Sequence, residues 1–299
     1  MVVLLCIGTQ KGVAVLRAVL PYREQYDFHV CTFAEEFVVD SYKAEITRLA
    51  EENDICVISL GQFRDGLLEY VKSQGVGAIV CAGWRYLVPP EVVRELGGEV
   101  IIAHDSLLPK FRGFAPMPTA LIIGERESGV SFLRVGRGVD DGDILWQGRF
   151  DIGREDTIQD LIDKSLLLYG HGARAYLEGG FGSGVPQQED KASYSLWRDD
   201  IDYIIDWTLD ANTIERTVRA LGPPYLGAKF FVQGEEVIVR RATVMPDLKF
   251  AIRQPGKIWT LDEIGRPLVV CGVGLLRIDS ADKEGESIIP FKRLRTRLG

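Results

Sequence analysis

Long apolar runs, a disulfide framework and an excess of basic residues are all missing from this sequence of 299 residues. No apolar run approaches the roughly 20 residues that cross a membrane, and no charged-then-apolar leader precedes a small-residue cleavage site. A cytoplasmic protein without membrane segments is therefore expected. The cysteines are odd in number and scattered, which favours buried thiols and predicts neither disulfides nor a metal site: Cys6, Cys31, Cys56, Cys81 and Cys271.

The formal net charge of −8 is concentrated in the first part of the chain. Residues 1–178 carry 18 Lys and Arg against 26 Asp and Glu, whereas residues 179–299 carry 17 of each. A protein that holds a long polyanion needs cationic surface, because phosphate contacts dominate nucleic-acid affinity. The charge distribution therefore argues against a nucleic-acid partner and leaves small molecules as the expected ligands.

Short apolar runs alternate with helical patterns through residues 1–178, which predicts an α/β domain. The rhythm of strand, helix and strand is typical of a Rossmann-like, mostly parallel sheet with right-handed crossovers. A glycine-rich polar segment at 179–193 lacks periodicity and is interpreted as a linker. Helical spacing predicts a helix at 157–176 and a largely helical stretch at 201–221. Several short strands at regular spacing then predict a small antiparallel β-barrel domain over 194–299. The basic run at 290–299 is expected to be solvated or frayed. The predicted strands of the first domain span 2–7, 29–33, 54–60, 78–81, 100–103 and 129–135, and those of the second span 228–232, 237–242, 256–261, 268–271 and 275–278.

Polar residues follow two of the predicted strands at the point where each apolar run ends. His104 and Ser106 come directly after the run at 100–103, and a loop dense in glycine and carboxylate, containing Asp140, follows the run at 129–135. Open α/β sheets bind their ligands at strand ends, so His104 and Asp140 are expected to face each other across one crevice. Without the histidine, the carboxylates of this loop would be interpreted as turn caps or, less readily, as cation ligands.

These motifs resemble the signature of the 10-formyltetrahydrofolate-dependent formyltransferases, a family that acts on methionyl-tRNA, on nucleotide sugars and on glycinamide ribonucleotide. The resemblance rests on order and spacing within two motifs, and it extends to the start of the family's C-terminal domain, which is an OB-like barrel. Coverage is nearly the whole chain. The residues concerned are His104–Pro109, Gly113, Pro116, Val139–Asp143, Ile205–Trp207, 211–221 and Pro224–Ala228.

The resemblance implies a role for several residues around the two strand ends. His104 and Asp140 correspond to the catalytic histidine and aspartate, and 10-formyltetrahydrofolate is the implied co-substrate. Histidine changes charge near neutral pH, so it can move protons during transfer, and a nearby carboxylate fixes its orientation and tautomer. The implied folate site takes in Trp84, Arg85, Tyr86, Leu87, Gly138, Val139 and Asp143, and the implied substrate contacts are Ser106 and Arg112.

One position departs from the family pattern. The family carries an asparagine two residues before the histidine, and this chain has Ile102 there. The chain holds only two asparagines, Asn53 and Asn212, and neither lies near the motif. The loss of one oxyanion donor costs about 10²–10³ in turnover, which is compatible with an impaired enzyme and equally with a protein that binds folate but no longer transfers.

Three hypotheses of function follow. The first is transfer of a formyl group to a primary amine, with an amino sugar attached to a nucleotide as the expected acceptor. The second is formylation of methionyl-tRNA, against which stands the acidic segment at 29–54, where the tRNA enzyme carries a long basic loop. The third is a homologue that still binds folate or an amine but transfers nothing. An oligomer is compatible with each of them.

Overall fold

The protein is described by a computed structural model in which residues 1–34, 42–180 and 182–299 are defined. It divides into two compact units. Unit 1 comprises Met1–Pro116, Glu127–Asp151 and Ile162–Ser195, and unit 2 comprises Met117–Arg126, Ile152–Leu161 and Leu196–Gly299. The sequence-based division into 1–178, 179–193 and 194–299 stays a prediction. Across the defined residues, no helix is long and apolar enough to cross a membrane.

A seven-stranded sheet organises unit 1, in the order β3-β2-β1-β4-β5-β7-β8. The first five strands of this order are parallel, and β7 and β8 are antiparallel to their neighbours. The strands are β1 (Val2–Ile7), β2 (Asp27–Cys31), β3 (Cys56–Ile58), β4 (Val76–Ala82), β5 (Val100–His104), the short β6 (Arg112–Gly113), β7 (Glu127–Arg134), β8 (Ile144–Asp151) and the short β9 (Tyr194–Ser195), which pairs with β6.

The helices confirm the α/β alternation predicted from the sequence. Helix α1 begins directly after β1, and the helix predicted at 157–176 is the long helix α6. Their bounds are α1 (Thr9–Val19), α2 (Lys43–Glu51), α3 (Leu60–Gln74), α4 (Pro90–Glu95), α5 (Pro116–Ile123), α6 (Ile158–Gly179) and α7 (Ala211–Ala220). Leu20–Tyr22, Glu189–Lys191 and Asp200–Tyr203 form short 3₁₀ turns.

The parallel strands are apolar on both faces because each face of the sheet packs against its own hydrophobic cluster. Along β5 the side chains alternate between the clusters. Ile101 and Ala103 belong to the cluster that contains Phe132 and Tyr169, whereas Val100 and Ile102 pack in the other cluster. This alternation puts the side chains of Ile102 and His104 on one face of the sheet.

Unit 2 contains an antiparallel sheet of the order β10-β11-β14-β13-β12, which confirms the predicted barrel-like architecture. Its core is a single cluster that includes Trp207, Phe230 and Leu276. The last residues of the chain complete the sheet, because Gly299 pairs with Phe231 of the first strand and residues 296–298 pair beside the last. The strands are β10 (Lys229–Val232), β11 (Glu235–Met245), β12 (Ile258–Leu261), β13 (Pro267–Val270), β14 (Leu275–Lys283) and β15 (Glu286–Ser287).

Two expectations for the second half differ from the structure. The sequence predicted a largely helical stretch over 201–221, but only Ala211–Ala220 forms an α-helix. Asp210 explains where this helix begins, because its carboxylate accepts hydrogen bonds from the backbone N–H groups of Asn212 and Thr213. The basic C-terminal run was expected to be solvated or frayed; its basic side chains are exposed, but the run is not frayed at its end, because Leu298 is buried in the barrel core.

Candidate active site

His104 is the last residue of β5, and its imidazole is buried with both ring nitrogens next to acceptor atoms. Nε2 lies 2.8 Å from the carbonyl oxygen of Phe111, and Nδ1 lies 3.4 Å from Oδ2 of Asp140. A carbonyl oxygen only accepts, so Nε2 carries a proton. Nδ1 and the carboxylate face each other and can hold a further proton between them. The two sequence-predicted catalytic residues are therefore brought together.

Asp140 reaches this position by a route that the sequence did not indicate. Strand β7 is antiparallel to β5, and its end places Val135 beside Val100, at the opposite end of β5 from His104. The loop at 136–143 must therefore run back along β5 before Asp140 meets the imidazole. The expectation that the apolar runs at 100–103 and 129–135 end at the same edge of the sheet is wrong, because β7 is antiparallel to β5.

The Asp140 carboxylate is held by one hydrogen bond, and the backbone of Asp140 has an uncommon conformation. Asp140 has a φ of +50°, a left-handed conformation that is uncommon for a residue with a side chain. Its Oδ2 accepts a hydrogen bond of 2.9 Å from the backbone N–H of Gly113. Gly113 itself has a φ of +97° and an added Cβ would lie 2.7 Å from the carbonyl oxygen of Ser195, so glycine is required there.

Asp141 shapes the rest of the 136–143 loop. Its Oδ2 accepts from the backbone N–H of Gly138 at 2.9 Å, while a Cβ at Gly136 would lie 1.9 Å from its Oδ1. Among the defined residues, that Oδ1 is buried and has no hydrogen-bond partner. Of the other predicted folate contacts in this loop, Val139 is exposed, and the carbonyl of Asp143 accepts from the backbone of Arg134.

The 84–88 loop carries an aromatic cluster. The Trp84 ring packs edge-on against Phe33 and Phe63, with centroids 5.3 and 4.8 Å apart, and Tyr86 packs against Phe33 at 5.4 Å. Trp84 Nε1 is buried without a hydrogen-bond partner among the defined residues. Leu87 is 93% exposed, and Arg85 is exposed as well. The loop thus exposes Leu87 to solvent, next to aromatic rings that pack against one another.

Ser106 and Arg112, predicted as substrate contacts, both make hydrogen bonds within the protein. The Ser106 hydroxyl donates to the carbonyl of Lys110 at 2.6 Å. Arg112 is 1% exposed and donates to both carboxylate oxygens of Glu189, at 3.0 and 2.7 Å. The carboxylate of Glu189 raises the pKa of Arg112, and the guanidinium lowers the pKa of Glu189. Arg112 thereby joins its loop to a segment near the end of unit 1.

That segment, residues 183–195, is called the strap here. It lies within the sequence-predicted linker for most of its length, yet it forms ordered contacts with the loops that carry His104 and Asp140. Val185 pairs with Ile144, Ser193 accepts from the backbone of Arg112, and Tyr194–Ser195 pairs with β6. The sequence gave no sign of this, because these contacts use backbone groups and isolated polar side chains, which leave no periodic pattern.

Gln187 is the functional candidate in the strap that the sequence analysis missed. Its Nε2 donates to the carbonyl oxygens of Asp140 and Gly142, each at 2.7 Å. Its Oε1 accepts from Nε of Arg112 at 3.0 Å. One amide group therefore connects the loop of the catalytic carboxylate with the buried guanidinium.

On the opposite face of β5, Asp105 forms a second polar cluster. It accepts a hydrogen bond of 2.7 Å from the hydroxyl of Tyr169 and forms an ion pair with Lys11. Burial, together with the nearby Asp105 carboxylate, raises the pKa of Tyr169 well above its ordinary value. The positive charge of Lys11 is thus balanced by the Asp105 carboxylate beside the strand end.

Ile102 has apolar neighbours where the family pattern has an amide. It is paired with Cys81 of β4 and Leu133 of β7. Its side chain is partly buried against the same cluster as Trp84 and Val135. In the defined parts of the chain, no group of three or more His, Cys, Asp or Glu residues is arranged to hold a metal ion.

Comparison with known proteins assigns the chain to a family. The formyl transferase model matches residues 39–171, and the model of the formyl transferase C-terminal domain matches residues 199–297. The methionyl-tRNA formyltransferase of Coxiella burnetii strain RSA 331 is 29% identical over 250 residues, covering 82% of this chain and 78% of that protein. That of Gluconacetobacter diazotrophicus is 30% identical over 220 residues, covering 74% and 70%. The chain belongs to the formyl transferase family.

Solved structures share the fold. The N-formyltransferase from Helicobacter canadensis, in complex with folinic acid and dTDP-3-aminofucose, has a TM-score of 0.68 at 19% identity and covers 93% of this chain and 98% of its own. HypX from Aquifex aeolicus, in complex with tetrahydrofolic acid, has a TM-score of 0.61 at 20% identity. The match covers 96% of this chain and 45% of the HypX chain, so this chain spans about half the length of HypX.

These findings confirm four of the sequence-based predictions. The family, the two-part fold and the enzyme class are those of a formyltransferase. The co-substrate of the family, 10-formyltetrahydrofolate, is the one predicted. The acceptor of the formyl group is not singled out, because the sequence relatives and the structural neighbours carry different names.

Proposed function

We propose that this protein transfers the formyl group of 10-formyltetrahydrofolate to a primary amine of a small substrate, an amino sugar attached to a nucleotide. The observation that carries the proposal is the buried pair formed by His104 and Asp140 at the end of β5, with Nδ1 and Oδ2 3.4 Å apart. The pair is held by a backbone carbonyl on one side and a backbone N–H on the other.

The reaction needs a neutral amine, a stabilised oxyanion and the relocation of a proton from the amine to the leaving nitrogen. 10-Formyltetrahydrofolate supplies a formyl group on a nitrogen that can leave. His104 and Asp140 take up and return the proton between Nδ1 and Oδ2, as general acid–base catalysis requires. Proton transfer of this kind contributes typically 10²–10⁴-fold to the rate.

The residues of the site fit a folate. A pterin is a flat heterocycle with N–H donors, and the buried Oδ1 of Asp141 is an acceptor without a partner among the defined residues. The Trp84–Val88 loop supplies an aromatic base on the sheet face that also carries Ile102. We assign Asp141 and backbone groups of the 84–88 and 138–143 loops to the heterocycle, since buried polar atoms in native proteins normally have partners.

The acceptor is proposed from charge. Residues 1–178 have 18 basic residues against 26 acidic ones, and two of the basic residues near the site, Lys11 and Arg112, are paired with carboxylates. A phosphate backbone needs many cations along its path, whereas the diphosphate of one nucleotide needs few. The acidic residues Glu35, Glu36 and Asp40, which supported this argument from the sequence, lie outside the defined residues.

Methionyl-tRNA is the second candidate acceptor. The observation in its favour is that the curated relatives at 29% and 30% identity are named methionyl-tRNA formyltransferases. A third possibility is a homologue that binds folate or amine without transfer, which Ile102 in place of the family's asparagine would explain.

The proposal is tested by incubating the purified protein with 10-formyltetrahydrofolate and a panel of amines, followed by mass spectrometry of the products. The panel contains dTDP-linked and UDP-linked amino sugars, free amino sugars and methionyl-tRNA. We expect a mass increase of one formyl group on a nucleotide-linked amino sugar. Formylation of methionyl-tRNA alone would support the second candidate, and no product together with folate binding in calorimetry would support the third.

A further inference from the structure

Gln187 holds the backbone of Asp140 from a segment that the reaction itself does not use. Its amide nitrogen donates to the carbonyl oxygens of Asp140 and Gly142, both at 2.7 Å. They belong to Asp140, whose carboxylate faces the imidazole, and to the second residue after it. The nitrogen of a side-chain amide carries two donor hydrogens, so it can donate to two carbonyl oxygens at once.

The conformation of Asp140 requires such support. A φ of +50° is unfavourable for aspartate relative to extended or helical backbone, and strained residues persist only where their surroundings fix them. The carboxylate must also lie within reach of both Gly113 N and His104 Nδ1. Release of the backbone at 140–142 would let the loop relax and would withdraw Oδ2 from both partners.

Gln187 is in turn oriented by Arg112. The Arg112 Nε donates to Oε1 at 3.0 Å, which fixes the amide with its nitrogen toward the loop. The guanidinium is 1% exposed and is held by both oxygens of Glu189. A chain of hydrogen bonds thus runs from Glu189 through Arg112 and Gln187 to the backbone of Asp140.

We infer that Gln187 is a positioning residue for formyl transfer, acting through Asp140 on His104. The inference rests on the proposed catalytic role of that pair. It also gives the strap a function, because Gln187 within it holds the loop that carries Asp140. A change of 1 Å in the position of a catalytic group can cost about 10²-fold in rate, so loss of the amide is expected to lower turnover measurably.

The test compares Gln187→Met and Gln187→Glu with Gln188→Ala. Methionine matches glutamine in length but has no N–H donors, glutamate replaces the donors with acceptors that face two carbonyls, and Gln188 is an exposed neighbour. We expect kcat to fall about 10- to 10²-fold in both Gln187 variants, with KM for 10-formyltetrahydrofolate within about twofold of wild type. Gln188→Ala should match the wild type.

A second readout does not depend on activity. The backbone N–H of Gly113 donates to Oδ2 of Asp140, so hydrogen exchange at Gly113 reports whether the carboxylate is in place. Exchange should be faster in both Gln187 variants than in Gln188→Ala at equal thermal midpoints.

The outcomes separate the two proposals. If the wild-type protein formylates no amine but Gly113 exchanges faster in the variants, the positioning holds and the proposed function fails. Unchanged exchange and unchanged kcat in Gln187→Met and Gln187→Glu would overturn the inference. A loss of kcat that only follows a loss of folded protein, with hydrogen exchange at Gly113 unchanged, would also overturn it and reduce Gln187 to a structural role. If either Gln187→Met or Gln187→Glu does not fold, the measurements on the other variant test the inference.

Discussion

At the scale of single residues, the protein places one imidazole between a carbonyl and a carboxylate and surrounds it with groups that keep it there. The Phe111 carbonyl fixes Nε2, so the exchangeable proton lies on the side of Asp140. Asp105, the next residue along the chain, points to the other face and is bound by Lys11 and Tyr169. The end of β5 is therefore anchored on both faces of the sheet.

The first prediction concerns His104. Replacement by alanine should lower kcat by at least about 10²-fold, because a general acid–base group contributes 10²–10⁴-fold. The affinity for 5-formyltetrahydrofolate, measured by calorimetry, should stay within a few fold, because the heterocycle is assigned to other loops. His171→Ala is the matched control, since that histidine is exposed on α6. Near wild-type turnover in His104→Ala would refute the assignment of chemistry to this residue.

The second prediction concerns Ile102, whose side chain lies on the same face as His104. In Ile102→Asn, an amide donor should be available two residues from the imidazole and raise kcat by up to about 10²-fold. The apolar neighbours leave the amide partly unpaired, so the free energy of unfolding should fall by about 1–3 kcal/mol.

Ile102→Leu controls for the change of side-chain shape and should alter neither turnover nor stability substantially. Turnover and thermal midpoint are measured on the same preparations. A lower midpoint with unchanged kcat would mean that residue 102 lies too far from the reacting atoms to serve as an oxyanion donor.

At this scale the sequence could predict only those site residues that lie in a recognisable pattern. His104 and Asp140 were predictable because each follows an apolar run within a recognisable motif. Gln187 and Glu189 were not, because a polar side chain in a glycine-rich segment has no pattern that separates a hydrogen-bonded strap from a linker. The fully paired state of Arg112 was equally hidden, since its partners lie more than 70 positions away in the chain.

At the scale of elements, hydrophobic patterning predicted most of the longer strands but missed β8 (Ile144–Asp151), and it predicted the strand directions incompletely. The runs at 2–7 and 100–103 are strands β1 and β5 almost as predicted. The antiparallel direction of β7 was not readable, because a continuous apolar strand buried on both faces looks the same in either direction. That direction decides how the 136–143 loop approaches His104.

The third prediction concerns the N-terminus of α7. The hydroxyl of Thr213, with the backbone N–H groups of Thr213 and Asn212, lowers the pKa of Asp210 below its ordinary value. A lowered pKa means that the stabilisation is fully present above about pH 4 and is lost as the pH falls through the folded-state value. Asp210→Ala should therefore lower the free energy of unfolding by about 1 kcal/mol at pH 7.

The difference between wild type and Asp210→Ala should shrink as urea unfolding is repeated toward pH 2. Asp210→Asn should retain most of the stability at neutral pH, because asparagine caps helices as well as aspartate does. The contribution of the introduced amide to the free energy of unfolding should not fall as the pH is lowered. An Asp210→Ala difference that stays constant from pH 7 to pH 2 would contradict a role for the ionised carboxylate.

At the scale of the whole molecule, the chain combines a formyltransferase fold with an acidic first part. The family fixes the reaction and the donor, but it does not fix the acceptor, because one fold serves several amines. The formal charge of −8 lies within residues 1–178, and two basic residues near the strand end, Lys11 and Arg112, form internal ion pairs. Charge is thus the property of this chain that bears most directly on the choice of acceptor.

The most direct measurement is a competition in one vessel between a dTDP-linked amino sugar and methionyl-tRNA, with 10-formyltetrahydrofolate as donor at physiological salt. His104→Ala serves as the blank for uncatalysed transfer. The account predicts that kcat/KM for the amino sugar exceeds that for methionyl-tRNA by at least about 10²-fold, or about 2.7 kcal/mol of transition-state stabilisation. Faster formylation of methionyl-tRNA, or equal rates for wild type and His104→Ala, would contradict it.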